Sequence, residues 1–295
     1  MATLCVENQL IKTSSLFKAE ALNQQFYSVF TRENNHIPSV SYPKYPNMAK
    51  TDFTTQGIVK LLHELKPGKS AGPDNIPTWI LKEYAFHIAP VLQVIYTQSY
   101  QTGILPKDWL TANIVPVYKK GDKSNPANYR PISLTSVCCK TMEHIICHSI
   151  LDHLNIYNII SSTQHGFRPG LSCQTQLILL VDEILRVMDQ HYQVDLIMLD
   201  FSKAFDTVAH NKLLLKLEHY GIQSNTQLWL QAWLTNRTQK VVVEGESSNT
   251  LKVLSGVPQG TVLGPLMFLL YINDISTGIG SSIRLFADDC VLFGA

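Results

Sequence analysis

The chain has 295 residues, 45% of them apolar, and 24 Lys and Arg against 23 Asp and Glu give a formal net charge of +1. That length and apolar content suffice for one large core or two smaller ones and exclude a disordered or fibrous chain. The near-neutral balance excludes a protein that holds polyanions by bulk charge alone.

Six cysteines without a CxxC pair read as reduced and mostly buried. The start shows no leader pattern, and the longest apolar run, 262–272, is too short to span a bilayer. A soluble intracellular protein without a membrane partner is expected, in the nucleus or the cytoplasm.

Residues 1–50 hold one helical pattern, LFKAEALNQQFYSVF, and then a proline-rich loop, IPSVSYPKYPN, that marks a boundary. Thr51 to Leu65 reads as a helix capped by Thr51 or Thr54, with Ile58, Leu61, Leu62 and Leu65 at helical spacing. Gly68-Lys69-Ser70 looks like the end of a phosphate loop, but the first glycine of such a loop would fall on His63, so this is a turn-rich connection. Helices are expected over about 77–101, a strand over ANIVPVYKK, and a hairpin or loop over GDKSNPANYRPISL. Further helices are expected over about 135–153 and 174–190, the latter with Leu177, Leu180, Val181, Ile184 and Val187 on its apolar face. Cys138, Cys139, His144, Cys147 and His148 suit one amphipathic helix better than a zinc site.

The pattern then changes. VDLIMLDF is apolar on both alternating faces and predicts a strand covered on two sides, followed by helix over 212–220. KVVVEGESSNTLKVLSG predicts a hairpin turning near residues 245–249, and PLMFLLYINDI a helix buried nearly all round. IRLFADDCVLF predicts two short strands with a pair of aspartates at the bend. This order predicts an α+β fold with helices packed on one side of an antiparallel sheet.

Charge is distributed unevenly. Residues 60–130 carry nine Lys and Arg against five Asp and Glu, and residues 131–295 carry ten against fourteen. Such asymmetry suits a polyanion held by one part while its phosphates touch cations held by the other. Asp200 ends one apolar strand and Asp288-Asp289 sit between two more. Burying a carboxylate costs on the order of several kcal/mol unless a cation or hydrogen bonds compensate. Two Mg²⁺ ions about 4 Å apart, with Mn²⁺ as the alternative ion, would compensate and would also activate a hydroxyl and hold a triphosphate. The other reading of an adjacent Asp pair is an exposed turn.

LDFSKAFDTVAH, SGVPQGTVLGP and FADD, in that order and about sixty and then thirty residues apart, resemble the three palm motifs of reverse transcriptases. Upstream, VPVYKKGDKSNPANYRPISL and QHGFRPGLSCQTQL resemble finger motifs of the non-LTR, LINE-type group. The resemblance covers about residues 51–295. It implies an α+β right-hand polymerase, with a helical extension over 1–50, fingers over 51–190, and a palm over 191–295 whose antiparallel sheet packs on helices. The thumb, a downstream palm lysine and a primer-gripping hairpin are expected to be missing from this chain, and no endonuclease is expected before residue 50.

The activity so implied is RNA-directed DNA polymerisation: dNTPs joined to the 3′-OH of a DNA primer on an RNA template. Carried over residue by residue, the resemblance makes Asp200, Asp288 and Asp289 the catalytic ligands of two Mg²⁺ ions, with the backbone carbonyl of Phe201 as a further ligand. Phe205 becomes the bulky residue under the sugar, which would collide with a 2′-OH. Lys119, Lys120 and Arg130 become the triphosphate grip, while Gln259 and Gly260 contact nucleotide and template. Arg168 touches either template phosphate or only its own loop.

Asp206 is expected to cap the following helix and His210 to be structural, with Pro258 and Gly264-Pro265 shaping a turn. Ala209 stands where many relatives have an acidic residue. Without a thumb's phosphate contacts the isolated chain is expected to synthesise weakly or not at all. The rival reading is a non-catalytic remnant that binds RNA through its basic part. Phe205 argues against a maturase or an RNA-dependent RNA polymerase with the same palm.

Overall fold

A computed structural model describes residues 4–6, 9–12, 14–32 and 45–294; residues 37–44 of the proline-rich boundary loop lie outside them. Two short strands, β1 (Leu4–Val6) and β2 (Gln9–Lys12), form a ribbon. Helix α1 (Ser15–Ser28) starts where the Ser14 hydroxyl accepts from the Phe17 N–H. Of the two candidate caps for the next helix, α2 (Thr55–His63), Thr54 is the one used, its hydroxyl accepting from the Gly57 N–H at 3.1 Å.

Helices α3 (Thr78–Glu83) and α4 (Ala85–Thr102) follow, and α4 stops at Gly103, whose φ of +68° is the left-handed conformation that ends a helix. The short α5 (Lys107–Leu110) leads into strand β3 (Thr111–Tyr118), and a loop with one 3₁₀ turn leads back along β4 (Tyr129–Leu134). Next come α6 (Val137–Ile156) and α7 (Cys173–Met188), the latter opened by a capping box between Ser172 and Thr175. The remaining elements are β5 (Asp195–Asp200), α8 (His210–His219), α9 (Ser224–Thr235), β6 (Thr238–Val243), β7 (Glu246–Ser247), β8 (Leu251–Lys252), α10 (Leu263–Ile272), β9 (Ser282–Phe286) and β10 (Asp289–Gly294).

The largest apolar core draws on α2, α4, α6, α8, α9 and α10. Its bulkiest members are Trp229 and Trp233, whose rings stack at 6.3 Å, and Tyr96, whose hydroxyl donates to the Cys138 carbonyl at 2.7 Å. A buried tyrosine keeps its hydroxyl bonded because leaving it unpaired would forfeit its hydration without return. In the same core, burial pushes the Cys138 thiol up to about 12 and the Cys147 thiol up to about 11.

Two sheets flank the helices. One runs β4-β3-β6-β7, with β8 also paired to β6, and α1 covers it through Ala19, Leu22 and Phe26 against Ala112, Ile114 and Val241. The other is antiparallel in the order β5-β10-β9. The fold is therefore α+β.

Three expectations change. The hairpin built from β6 and β7 does not join the sheet of the aspartates; β6 pairs in parallel with β3, Thr111 opposite Thr238 through Ile114 opposite Val241. Strand β5 is exposed along its whole length among the described residues, with Met198 at 74%. It is an edge strand, so β10 occupies only one of its sides. On α7 only Leu180 of the expected apolar face is buried, while Leu177 and Val181 stay about half exposed. Helix α9, which carries the two core tryptophans, was not among the expected elements.

Candidate active site

Register brings the acidic residues to one end of the small sheet. Asp289 opens β10 directly opposite Asp200, the last residue of β5, and Asp288 occupies the bend just before it. Like charges facing each other across a strand pair repel, so this end of the sheet is electrostatically unfavourable unless a cation sits nearby.

Asp200 and Asp288 line one cleft of about 400 Å³. Its other lining residues include Phe201, Lys203, Phe205, Asp206 and Gln259, with Lys119, Lys120 and Asn128 from the turn between β3 and β4 and Arg130 from the start of β4. The cleft thus has an acidic wall and a basic wall. None of these three cations forms an ion pair with a described residue, and neither Asp200 nor Asp288 does. Lys203 crosses between the walls, its Nζ donating to the Ala127 carbonyl at 3.2 Å.

Asp289 faces Asp200 in register but does not line the cleft. Among the described residues no group of three His, Cys, Asp or Glu side chains is gathered tightly enough to hold an ion. The donor chemistry nevertheless fits a hard divalent cation: carboxylate oxygens without a cationic partner, open to solvent and facing a basic wall. Asp200 and Asp288 are the pair that would hold it.

Phe205 rests on a stack. Its ring lies parallel to that of the buried Phe268 of α10 at 4.2 Å, and the ring of Phe167 meets it edge-on at 6.0 Å. Held from two sides, it cannot swing away from whatever enters the cleft.

The segment before α10 is knitted to the loop after β5. Val257 N–H donates to the Phe205 carbonyl and Gly256 N–H to the Val208 carbonyl, both at 2.8 Å. His210 Nε2 bonds the Gly256 carbonyl at 2.8 Å, which is the structural role expected of it. Asp206, by contrast, does not cap α8: the cap position is Ala209, with no side-chain hydrogen bond, and Asp206 Oδ1 instead accepts from Gln259 Nε2 at 3.0 Å. Loss of water around it raises its pKa, and the bond from Gln259 and the charge of Lys203 oppose that rise.

The Gln259 carbonyl accepts from Ser133 N–H at 2.7 Å, which docks the same loop onto β4. Gly260 is required by that docking. Its φ is +100°, and a Cβ would lie 2.9 Å from the Ser133 carbonyl oxygen. Arg168 lies away from the cleft lining, and its Nη1 donates to the carbonyls of Ser161 at 3.1 Å and Gln164 at 3.2 Å.

One contributor escaped sequence reasoning. Glu143 of α6 is fully buried, and its Oε2 accepts from the N–H groups of Val262 and Leu263 at 2.8 and 3.2 Å, where α10 begins. A carboxylate in the middle of the apolar run VCCKTMEHIIC was the signal available.

Residues 117–295 match the family model described as Reverse transcriptase (RNA-dependent DNA polymerase). The chain belongs to the reverse transcriptase family. It is 30% identical over 246 residues to the Drosophila melanogaster protein named "Probable RNA-directed DNA polymerase from transposon BS", covering 81% of this chain and 26% of that one. It is 29% identical over 225 residues to the "RNA-directed DNA polymerase from mobile element jockey" of Drosophila melanogaster, covering 76% and 24%. A third relative, the "Retrovirus-related Pol polyprotein from type-1 retrotransposable element R2" of Popillia japonica, is 27% identical over 205 residues, covering 64% and 28%.

These relatives place the chain among LINE-type reverse transcriptases. The chain spans about a quarter of their length. No helix among the described residues is long and apolar enough to cross a membrane.

Proposed function

We propose that the cleft is the site of RNA-directed DNA polymerisation, in which a dNTP is joined to a primer 3′-OH on an RNA template. One observation carries the reading: two carboxylates without cationic partners and three cations without anionic partners line a single cleft in a reverse transcriptase. In this reading residues 51–190 form fingers, residues 191–295 form a palm, and the β3–β4 turn is the fingertip that closes over the nucleotide.

Each wall has its task. The Arg130 guanidinium offers a planar fork for the triphosphate, and Lys119 and Lys120 supply mobile point charges. Asp200 and Asp288, with Asp289 and the Phe201 carbonyl beside them, hold divalent metal. Mg²⁺ bound there would lower the pKa of the attacking hydroxyl and stabilise the leaving oxygen. Phe205, immobilised by Phe268 and Phe167, excludes a sugar with a 2′-OH. Gln259, oriented by Asp206, presents its remaining amide group to the nucleotide, while Gly260 lets that backbone lie flat on β4. Arg168 commits Nη1 to the carbonyls of Ser161 and Gln164, so its contribution is to loop shape first, and its other N–H groups are the ones that would meet template phosphate.

A second reading has its own observation. The three aspartates are not gathered into one ligand set, which suits a domain that binds nucleic acid without catalysis. Addition of a single dNTP to a primer annealed to RNA, with this chain in excess and Mg²⁺ present, separates the two. Polymerisation requires extension by the parent that Asp200→Asn and Asp288→Asn abolish. Extension that survives both substitutions rejects it.

A further inference from the structure

A buried amide that directs its hydrogen bonds at one neighbouring residue fixes that residue's conformation. Gln164 is 2% exposed. Its Oε1 accepts from the Ala287 N–H at 2.9 Å and from the Gly166 N–H at 2.7 Å, and its Nε2 donates to the Ala287 carbonyl at 3.3 Å. Both main-chain groups of Ala287 are thereby held by one side chain.

Ala287 needs holding. Its φ is +55°, a left-handed conformation that Cβ disfavours, and it immediately precedes Asp288. Strain of this kind persists only where the surroundings over-determine it, and it gathers at functional sites.

The surroundings here are extensive. Leu285 N–H donates to the Thr163 carbonyl and His165 N–H to the Leu285 carbonyl, each at 3.0 Å, which lays residues 163–165 alongside β9. Gln176 Nε2 bonds the carbonyls of Thr163 and Leu285, both at 2.7 Å. Gly166 packs so closely that a Cβ would lie 2.2 Å from the Ala287 nitrogen. Arg168 fastens the far end of the loop through its bonds to Ser161 and Gln164. All of this converges on the bend that carries the aspartates.

We propose that Gln164 is a positioning residue: by holding Ala287 left-handed it turns the Asp288 carboxylate into the cleft beside Asp200. The assignment rests on the polymerase reading of that cleft. A side chain that merely filled space could be replaced by methionine, which has similar length and no hydrogen-bonding amide.

The test is a Mn²⁺ titration of the full chain, with free ion followed by electron paramagnetic resonance. The parent is compared with Asp288→Asn, Gln164→Met, Ala287→Gly and the Gln164→Met/Ala287→Gly double variant. Asp288→Asn is expected to weaken Mn²⁺ binding at least about tenfold by removing one of the few anionic ligands. Gln164→Met is expected to weaken it by about 5- to 30-fold, the factor by which a left-handed alanine is disfavoured. The double variant is expected to return to within about twofold of the parent, because glycine takes the left-handed conformation without steric cost.

Binding by Gln164→Met equal to the parent's, or a loss that glycine does not restore, overturns the positioning role while leaving the polymerase reading in place. If Gln164→Met does not fold, Gln164→Asn is read in the same way, alone and with Ala287→Gly, because its amide is one methylene too short to reach both Ala287 groups. A parent that binds no Mn²⁺, or binds it equally after Asp288→Asn, overturns the metal site itself and the positioning role with it.

Discussion

Removing the Glu143 carboxylate is predicted to loosen the start of α10 and with it the Gln259–Gly260 loop. At the start of α10 the Thr261 hydroxyl accepts from the Gly264 N–H, while the N–H groups of Val262 and Leu263 depend on Glu143 Oε2. The opposite charge nearby is Arg237, 3% exposed, its guanidinium 5.4 Å from the centre of the Trp233 ring and attracted by Glu143. Its Nη1 and Nη2 have no hydrogen-bond partner among the described residues, so Glu143 acts on it by nearby charge and not by contact.

A hydrogen bond to a charged group contributes about 1.5–3 kcal/mol, and stripping one member from a buried charge pair costs about 3–5 kcal/mol. Because the bonds and the charge pair share one carboxylate, these figures overlap rather than add. Glu143→Ala is therefore predicted to cost about 3–5 kcal/mol, and Glu143→Gln, which keeps an acceptor but not the charge, about 1–3 kcal/mol. Urea unfolding followed by tryptophan fluorescence reports on this directly, since Trp229 and Trp233 lie in the same core. A loss below about 1 kcal/mol for the alanine variant, at unchanged m-value, would refute the reasoning.

The pH dependence of Asp206→Asn has a definite sign. Burial raises the pKa of Asp206 in the folded chain, so its ionisation costs stability above the ordinary carboxylate range and costs nothing once it is protonated in both states. The melting temperature gained by the asparagine variant should thus be larger at pH 7 than at pH 3.5, and equal gains at both would remove the burial argument. Phe205→Val should raise rNTP insertion relative to dNTP by about tenfold or more if the ring is what meets the 2′-OH, measured as a ratio of kcat/KM values; an unchanged ratio assigns discrimination elsewhere. Gly260→Ala should cost about 1–3 kcal/mol, since it meets both an unfavourable φ and the Ser133 carbonyl. Thermal unfolding checks this, and a neutral outcome would mean that the loop lifts off β4 easily.

Much of this architecture was legible because local patterns determine it. The alternation in β3, a threonine cap at the start of α2 and the all-round apolar face of α10 are set by residues close in sequence, and the structure shows each, with Thr54 taking the cap that Thr51 also offered. Two apolar strands around Asp288-Asp289 sufficed to anticipate β9 and β10. What escaped depends on distant partners. Nothing in KVVVEG specifies parallel pairing with β3 more than a hundred residues earlier, and VDLIMLDF has the composition of a covered strand although its described neighbours leave it exposed. Asp206 illustrates the same limit at the site. Its spacing from α8 suited a cap, but Gln259, brought near by long-range packing, takes its oxygen. Glu143 stands out in the sequence only as a carboxylate among apolar residues and Gln164 not at all, because both act on main-chain groups more than a hundred residues away.

In the proposed mechanism Asp200 and Asp288 share metal with an incoming nucleotide. Anomalous scattering from Mn²⁺ in crystals of the chain with an RNA template, a DNA primer and a dNTP would locate the ions. The account predicts two peaks about 4 Å apart, in contact with carboxylate oxygens of Asp200 and Asp288 and with the triphosphate. Peaks bound only elsewhere, with a nucleotide seated in the cleft and these carboxylates turned away from it, would contradict it.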